Sequence, residues 1–198
     1  ELRVETVGAP LPYMDIKIAD PETDQPVPLG EYGEFCCRGY NTMLGYYKMP
    51  DKTAETIDED GWLHTGDLGV MRQSGHCNIV GRIKDMIIRG GENIYGREIE
   101  ELLITHPKIM DVYIVGVPDK KWGEEVAAFA KLHPDQQMDL EELRAFCEGK
   151  IARHKRPKYL TFVDEFPLTG SGKVQKFKLR ELFVKEKGLE EVEKTRYA

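Results

Sequence analysis

Glycine recurs so often in the first part of this chain, at Gly39, Gly45, Gly61, Gly66 and Gly69 among others, that no long helix is expected there. Within a helix each glycine costs about 0.5–1 kcal/mol relative to alanine, whereas turns and bulges use its positive φ. The apolar residues between these glycines alternate instead. Met14, Ile16 and Ile18 are separated by Asp15 and Lys17, the two-residue period of a half-buried strand. Strands are also predicted over residues 34–38 and 77–80, and residues 20–26, rich in Pro and Asp, read as a turn. Before residue 95 only residues 51–57 offer a short helix.

From residue 95 the period changes. Ile99, Leu102, Leu103 and His106 fall on one helical face, which Pro107 ends. Residues 112–117 and 126–132 read as strands, and residues 159–163 as another. Asp139 followed by Glu142 is a capping-box signal, opening a helix that turns Leu140, Leu143, Phe146, Cys147 and Ile151 inward. A last helix sets Leu179, Leu182 and Phe183 on one side. The fold class expected is therefore α+β in two parts divided near residues 82–86. Residues 1–83 are β-rich, and residues 84–198 form an α+β domain with a central sheet and about three helices.

Composition excludes several classes. Apolar residues make up 40% and charged residues 32%, an ordinary globular balance that argues against extended disorder. No apolar stretch approaches the ~20 residues of a membrane helix, so no transmembrane segment is expected. The chain opens Glu1-Leu2-Arg3-Val4, without a leader pattern or an initiator Met, so it is expected to be a piece of something longer. Four cysteines form no C-x-x-C pair and five histidines show no ligand spacing. Reduced thiols, no metal site and a cytoplasmic setting are the corresponding expectations.

Charge is uneven. Residues 153–187 carry ten Lys and Arg against four Asp and Glu, a local +6, while the remainder carries 18 against 31, or −13. Part of this excess belongs to a solvated helix face. Lys155-Arg156-Pro157-Lys158 does not, because Pro157 interrupts any helix, and three cations about a rigid turn suit a phosphate. No aromatic residues are interleaved through this cluster and the rest of the chain is acidic, so no nucleic-acid partner is expected.

Thr169-Gly170-Ser171-Gly172-Lys173 superficially suggests a P-loop, but Pro167 and Val174 stand where that motif requires Gly and a hydroxyl. What remains is a lysine on a small-residue loop. Asp67, in a Gly-flanked turn, can accept two ribose hydroxyls or bond its own backbone; both readings stand on these residues alone. Gly90-Gly91-Glu92-Asn93 reads as a hairpin-like turn that also permits close approach of a ligand.

Taken in order, these segments resemble the adenylate-forming superfamily of acyl-CoA synthetases, peptide-synthetase adenylation domains and luciferases. The resemblance rests on Gly33-Glu34-Phe35-Cys36-Cys37-Arg38-Gly39, Gly45-Tyr46-Tyr47 and Gly61-Trp62-Leu63-His64-Thr65-Gly66-Asp67-Leu68-Gly69. It continues through Gly81-Arg82-Ile83-Lys84-Asp85, Gly90-Gly91-Glu92-Asn93-Ile94 and the stretch from Pro167 to Lys176. Gly96 departs from the family's usual Pro. The likeness is strongest to medium- and long-chain fatty acyl-CoA ligases. It implies ATP, CoA and a fatty acid as substrates and Mg²⁺ in the full-length enzyme, with the metal's ligands outside this chain.

The resemblance also implies roles. Asp67, with Arg82 beside it, would hold the ribose of ATP, and Lys84 would be the hinge. Lys173 would be the catalytic lysine bridging the substrate carboxylate and the α-phosphate. Gly90, Gly91 and Glu92 would line the pantetheine tunnel, and Trp122, Lys155, Arg156 and Lys158 would lie near the CoA nucleotide. The family's Ser/Thr/Gly-rich phosphate loop, its aromatic-Gly-x-Thr-Glu segment and its acyl pocket are not in this sequence. The chain thus reads as the C-terminal portion of a ligase, unable by itself to adenylate. An adenylation domain that loads a carrier protein is the alternative.

Overall fold

A computed structural model describes residues 6–194, with side chains described to residue 192. The fold is α+β and divides into two compact units, residues 1–84 and 85–198.

The first unit is a four-stranded antiparallel meander, β1 (Met14–Ala19), β2 (Tyr32–Gly39), β3 (Leu63–Met71) and β4 (Cys77–Arg82), in that spatial order. Helix α1 (Pro50–Thr56) lies between β2 and β3 in sequence, with Pro50 in its first turn, where a missing N–H costs nothing. β3 was not foreseen, because Gly66 and Gly69 break its apolar pattern. Its pairing with both neighbours supplies the order that local propensity withholds. Among the described residues the buried apolar set of this unit is short: Ile18, Ala19, Cys36, Leu68 and Cys77.

The second unit is a five-stranded sheet between helices. Strands β5 (Ile87–Arg89) and β6 (Glu92–Ile94) form a hairpin, β7 (Ile109–Asp119) pairs along β8 (Gly123–Leu132), and β9 (Tyr159–Phe162) runs parallel to β8. Alternate residues of β7 and β8 feed two separate cores. Val112, Ile114, Val126, Ala128 and Ala130 pack with Ile99 and Leu103 of α2 (Gly96–Leu103) and Leu143 and Cys147 of α3 (Leu140–Cys147). Val115, Val117, Ala127 and Phe129 pack instead with Leu179 and Phe183 of α4 (Lys176–Lys187). Both faces being covered explains why these strands read as continuous apolar runs.

Two expectations are corrected. Leu182 is 57% exposed rather than inward. At about 100° per residue, the buried arc runs through Leu179, Phe183 and Val184 and leaves Leu182 outside it. About three helices were expected, and among the described residues the unit has α2, α3, α4 and the five-residue α5 (Glu190–Lys194), which follows Gly188, whose left-handed φ of 63° ends α4. The capping box at Asp139 is half formed. Asp139 accepts from the Glu142 amide at 2.8 Å, but the Glu142 carboxylate pairs with Lys108 at 2.7 Å. No helix among the described residues is long and apolar enough to cross a membrane.

Candidate functional site

In the first unit, Asp67 stands on a bulge. Glu34 pairs with Leu68 and Cys36 with His64, so Phe35 alone on β2 faces Thr65, Gly66 and Asp67 on β3. Two surplus residues must leave the ladder, and their amides lose strand partners. Glu34 Oε1 accepts from the Gly66 amide at 2.9 Å, while Thr65 Oγ1 accepts from the Asp67 amide at 3.1 Å and donates to the Phe35 carbonyl at 2.6 Å. Gly66 takes φ 70°, a left-handed conformation that side chains disfavour. Arg82, directly opposite Asp67 in the β3–β4 register, donates from Nε to its Oδ1 at 3.1 Å. Lys84 is exposed on the 3₁₀ turn Ile83–Asp85, at the last position of this unit.

Beneath the bulge lies a polar cluster that sequence reasoning missed. Glu34 is buried, and its Oε2 lies 2.9 Å from His64 Nδ1. His64 Nε2 faces Asp58 at 3.5 Å and Asp24 at 4.0 Å. Burial alone would lower the His64 pKa, but Glu34, Asp58 and Asp24 outweigh it and hold the imidazole above its ordinary value. Asp24, Cys36 and His64 form the one group of potential metal ligands among the described residues. Lys17 already places its ammonium 2.7 Å from Asp24, and burial, with the Glu34 charge, pushes the Cys36 thiol up to about 12. A soft thiol does not suit Mg²⁺, which requires oxygen ligands. The cluster therefore fits a hydrogen-bonded network and not a magnesium site.

In the second unit, Gly90 and Gly91 form the two-residue turn between β5 and β6, with φ 60° and 88°. The Gly90 amide donates to the Trp122 carbonyl at 2.8 Å, and a Cβ on Gly90 would stand 2.6 Å from the Trp122 ring. The Arg89 guanidinium and the Lys121 ammonium lie 4.8 and 4.7 Å from the indole centroid. Glu92 is exposed at the far side of the turn.

Beside Trp122 opens a cavity of ≈ 470 Å³ lined also by Arg89, Arg144, Arg153, Arg156 and Lys158. Against these five cations stands one carboxylate, Glu125, already bound to Arg89 at 2.8 Å. Asp119 anchors the rim, bonding Lys158 Nζ at 2.6 Å and the amides of Lys121 and Trp122 at 2.9 and 3.0 Å. Burial would raise the Asp119 pKa, yet Lys158 and these two amides leave it lowered. Arg156 Nε is buried without a hydrogen-bond partner, an orphan donor of the kind a bound anion satisfies. Lys155 does not join this group; it pairs with Glu98 at 2.6 Å.

Arg89, Arg144, Arg153 and His154 were not singled out from sequence. Arg153 and His154 adjoin the basic cluster, which was a usable signal. Arg144 gave none: it reads as an exposed helix charge, yet donates to the carbonyls of Pro157 and Lys158 at 3.0 and 3.1 Å.

Lys173 lies on a tight loop closed by the Leu168–Val174 bridge, with the Thr169 amide donating to the Lys173 carbonyl at 2.8 Å. Thr169 Oγ1 accepts the Lys173 amide at 3.1 Å. Its ammonium is exposed and has no ionic partner among the described residues.

Residues 98–173 match the family described as AMP-binding enzyme C-terminal domain, and residues 1–47 match AMP-binding enzyme. YngI of Bacillus subtilis (strain 168), provisionally named an acyl-CoA synthetase, is 58% identical over 90% of this chain and 33% of its own length. The mitochondrial medium-chain acyl-CoA ligase ACSF2 of Danio rerio is 50% identical over 96% of this chain and 31% of its own length. ATP-bound MatB from Rhodopseudomonas palustris superposes with a TM-score of 0.84 at 36% identity, covering 90% of this chain and 36% of MatB. The chain thus spans about a third of the curated relatives it matches. By sequence and by fold, this chain belongs to the adenylate-forming superfamily of AMP-binding enzymes.

Proposed function

We propose that these residues are the C-terminal portion of an ATP-dependent fatty acid–CoA ligase. In its first reaction a carboxylate oxygen attacks the α-phosphorus of ATP, giving acyl-adenylate and releasing pyrophosphate. In the second the CoA sulfur attacks the acyl carbon, AMP leaves, and the thiol proton goes to solvent. Asp67 and Arg82 take the ribose, Lys84 is the hinge, and Gly90, Gly91 and Glu92 line the pantetheine path. The free Lys173 ammonium brings carboxylate and α-phosphate together and offsets charge as the pentavalent centre forms. Mg²⁺ would be held in the full-length enzyme by ligands outside this chain. The four free cysteines accord with a cytoplasmic setting.

The observation that carries this reading is the cationic cavity beside Trp122. A phosphorylated nucleoside offers it both a ring for the indole and phosphates for Arg153, Arg156 and Lys158. Lys155, held by Glu98, is left out of that set. A carrier-bound phosphopantetheine lacks the nucleotide, so the same cavity favours CoA over a carrier protein.

The test uses the full-length protein containing this chain. Lys173→Ala should lower fatty-acid-dependent pyrophosphate release by about a hundredfold or more. Thioester formation from preformed acyl-adenylate should change by less than about tenfold. Equal losses in both half-reactions would remove Lys173 from its assigned step. A carrier protein outperforming CoA as acceptor would replace the ligase reading with the alternative one.

A further inference from the structure

The bulge that presents Asp67 is held by an unusual side chain for its place. Glu34 is a carboxylate buried to 8% exposure in the middle of β2, where desolvation makes a charge costly unless it is paired. Both oxygens are in use: Oε1 takes the orphaned Gly66 amide and Oε2 takes His64 Nδ1, each at 2.9 Å. His64 is steadied in turn by Asp58 and Asp24, and Asp24 by Lys17. The chain of contacts runs inward from Lys17 and ends on the amide immediately before Asp67. A plain β-bulge needs none of this, since its free amide can be turned to water. An amide tied to a buried charged acceptor cannot turn, and so fixes the direction in which the next side chain leaves the sheet.

The geometry points to Glu34, oriented by His64, as a positioning residue that aims the Asp67 carboxylate at the ribose of the nucleotide. The inference rests on the ribose-binding reading of Asp67 given above. Glu34 is too deep to touch the nucleotide itself and acts only through the Gly66–Asp67 backbone. Thr65 braces the bulge from within β3, while from β2 Glu34 supplies the acidic side chain bonded to it.

The test is ribose discrimination by the full-length protein in pyrophosphate release, comparing ATP with 3′-deoxy-ATP and 2′-deoxy-ATP. Wild type should prefer ATP, and Asp67→Ala should erase the preference. Glu34→Gln should raise the KM for ATP by about tenfold, the scale of one charged hydrogen bond, while leaving the KM for the deoxy analogues and the kcat nearly unchanged. The double variant should be no worse than Asp67→Ala alone. If Glu34→Gln does not fold, His64→Leu and His64→Asn carry the test, since Asn retains an Nδ donor for Glu34. Leu should shift discrimination in the same direction and Asn should restore it. A Glu34→Gln enzyme with a lower melting temperature but unaltered discrimination would reduce Glu34 to a structural role and overturn the proposal. A wild type indifferent to the ribose hydroxyls would instead overturn the reading of Asp67, and the proposal with it.

Discussion

Gly90 and Gly91 are neighbours in one turn, yet substitution at each meets different surroundings. At Gly91, φ is 88° and no atom lies within 4 Å of an added Cβ, so alanine meets backbone strain alone, about 1–2 kcal/mol. At Gly90 the same strain is joined by the Trp122 ring at 2.6 Å, an indole with the Arg89 and Lys121 cations against it. Gly90→Ala should therefore destabilise the chain more than Gly91→Ala in urea unfolding. With Trp122 replaced by Ala, the two glycine substitutions should cost the same; a difference that persists would mean the ring is not the obstacle. The turn itself was legible in the sequence, because paired glycines before a helix report local backbone demand. The ring above it was not, since Trp122 is distant along the chain and is brought over the turn by the pairing of Arg89 with Gly123 and the Gly90–Trp122 backbone hydrogen bond. The same limit hid Glu34 and His64. Their types were visible, but their meeting follows from the register of β2 on β3.

At the scale of elements, helix α3 separates what local sequence encodes from what packing adds. Asp139 caps its first turn as the sequence indicates, so Asp139→Ala should cost about 0.5–2 kcal/mol of stability. Glu142 was read as the second half of that cap, and the structure gives it to Lys108 instead. Glu142→Gln should consequently leave the cap intact and cost less than about 1 kcal/mol, as expected of a partly exposed ion pair. Chemical denaturation of both variants decides the matter: comparable losses would indicate a closed capping box in solution. Strands follow the same division. β1, β2 and β4 were readable from alternation or apolar runs, whereas β3 emerges only because two neighbours pair with it across its glycines.

For the whole molecule, the uneven charge of the sequence and the uneven depth of its cores concern different units. The +6 segment lies entirely in residues 85–198, where Arg153, Arg156 and Lys158 reach the cavity and Lys173 is exposed. That unit also owns both large apolar clusters, one on each face of the β7–β8 pair. A sheet covered on both faces by helices meets the requirement for independent folding. Among the described residues the first unit buries only a handful of apolar side chains, while Tyr13, Leu44 and Tyr47 are 94%, 104% and 85% exposed. Residues 85–198 prepared alone should therefore unfold in a single cooperative urea transition, with a slope of about 1–3 kcal/mol per molar. The chain's two tryptophans fall one to a unit, so in that fragment Trp122 is the sole indole and reports from the cavity rim. Its fluorescence should change at the same urea concentration as the far-ultraviolet dichroism, which reports helices on both faces of the sheet. Coincident midpoints are expected if both clusters melt as one core. A Trp122 transition that precedes the loss of helix would mean that the cavity wall is a separate and weaker layer, and that the cationic residues are not held rigid by the fold beneath them.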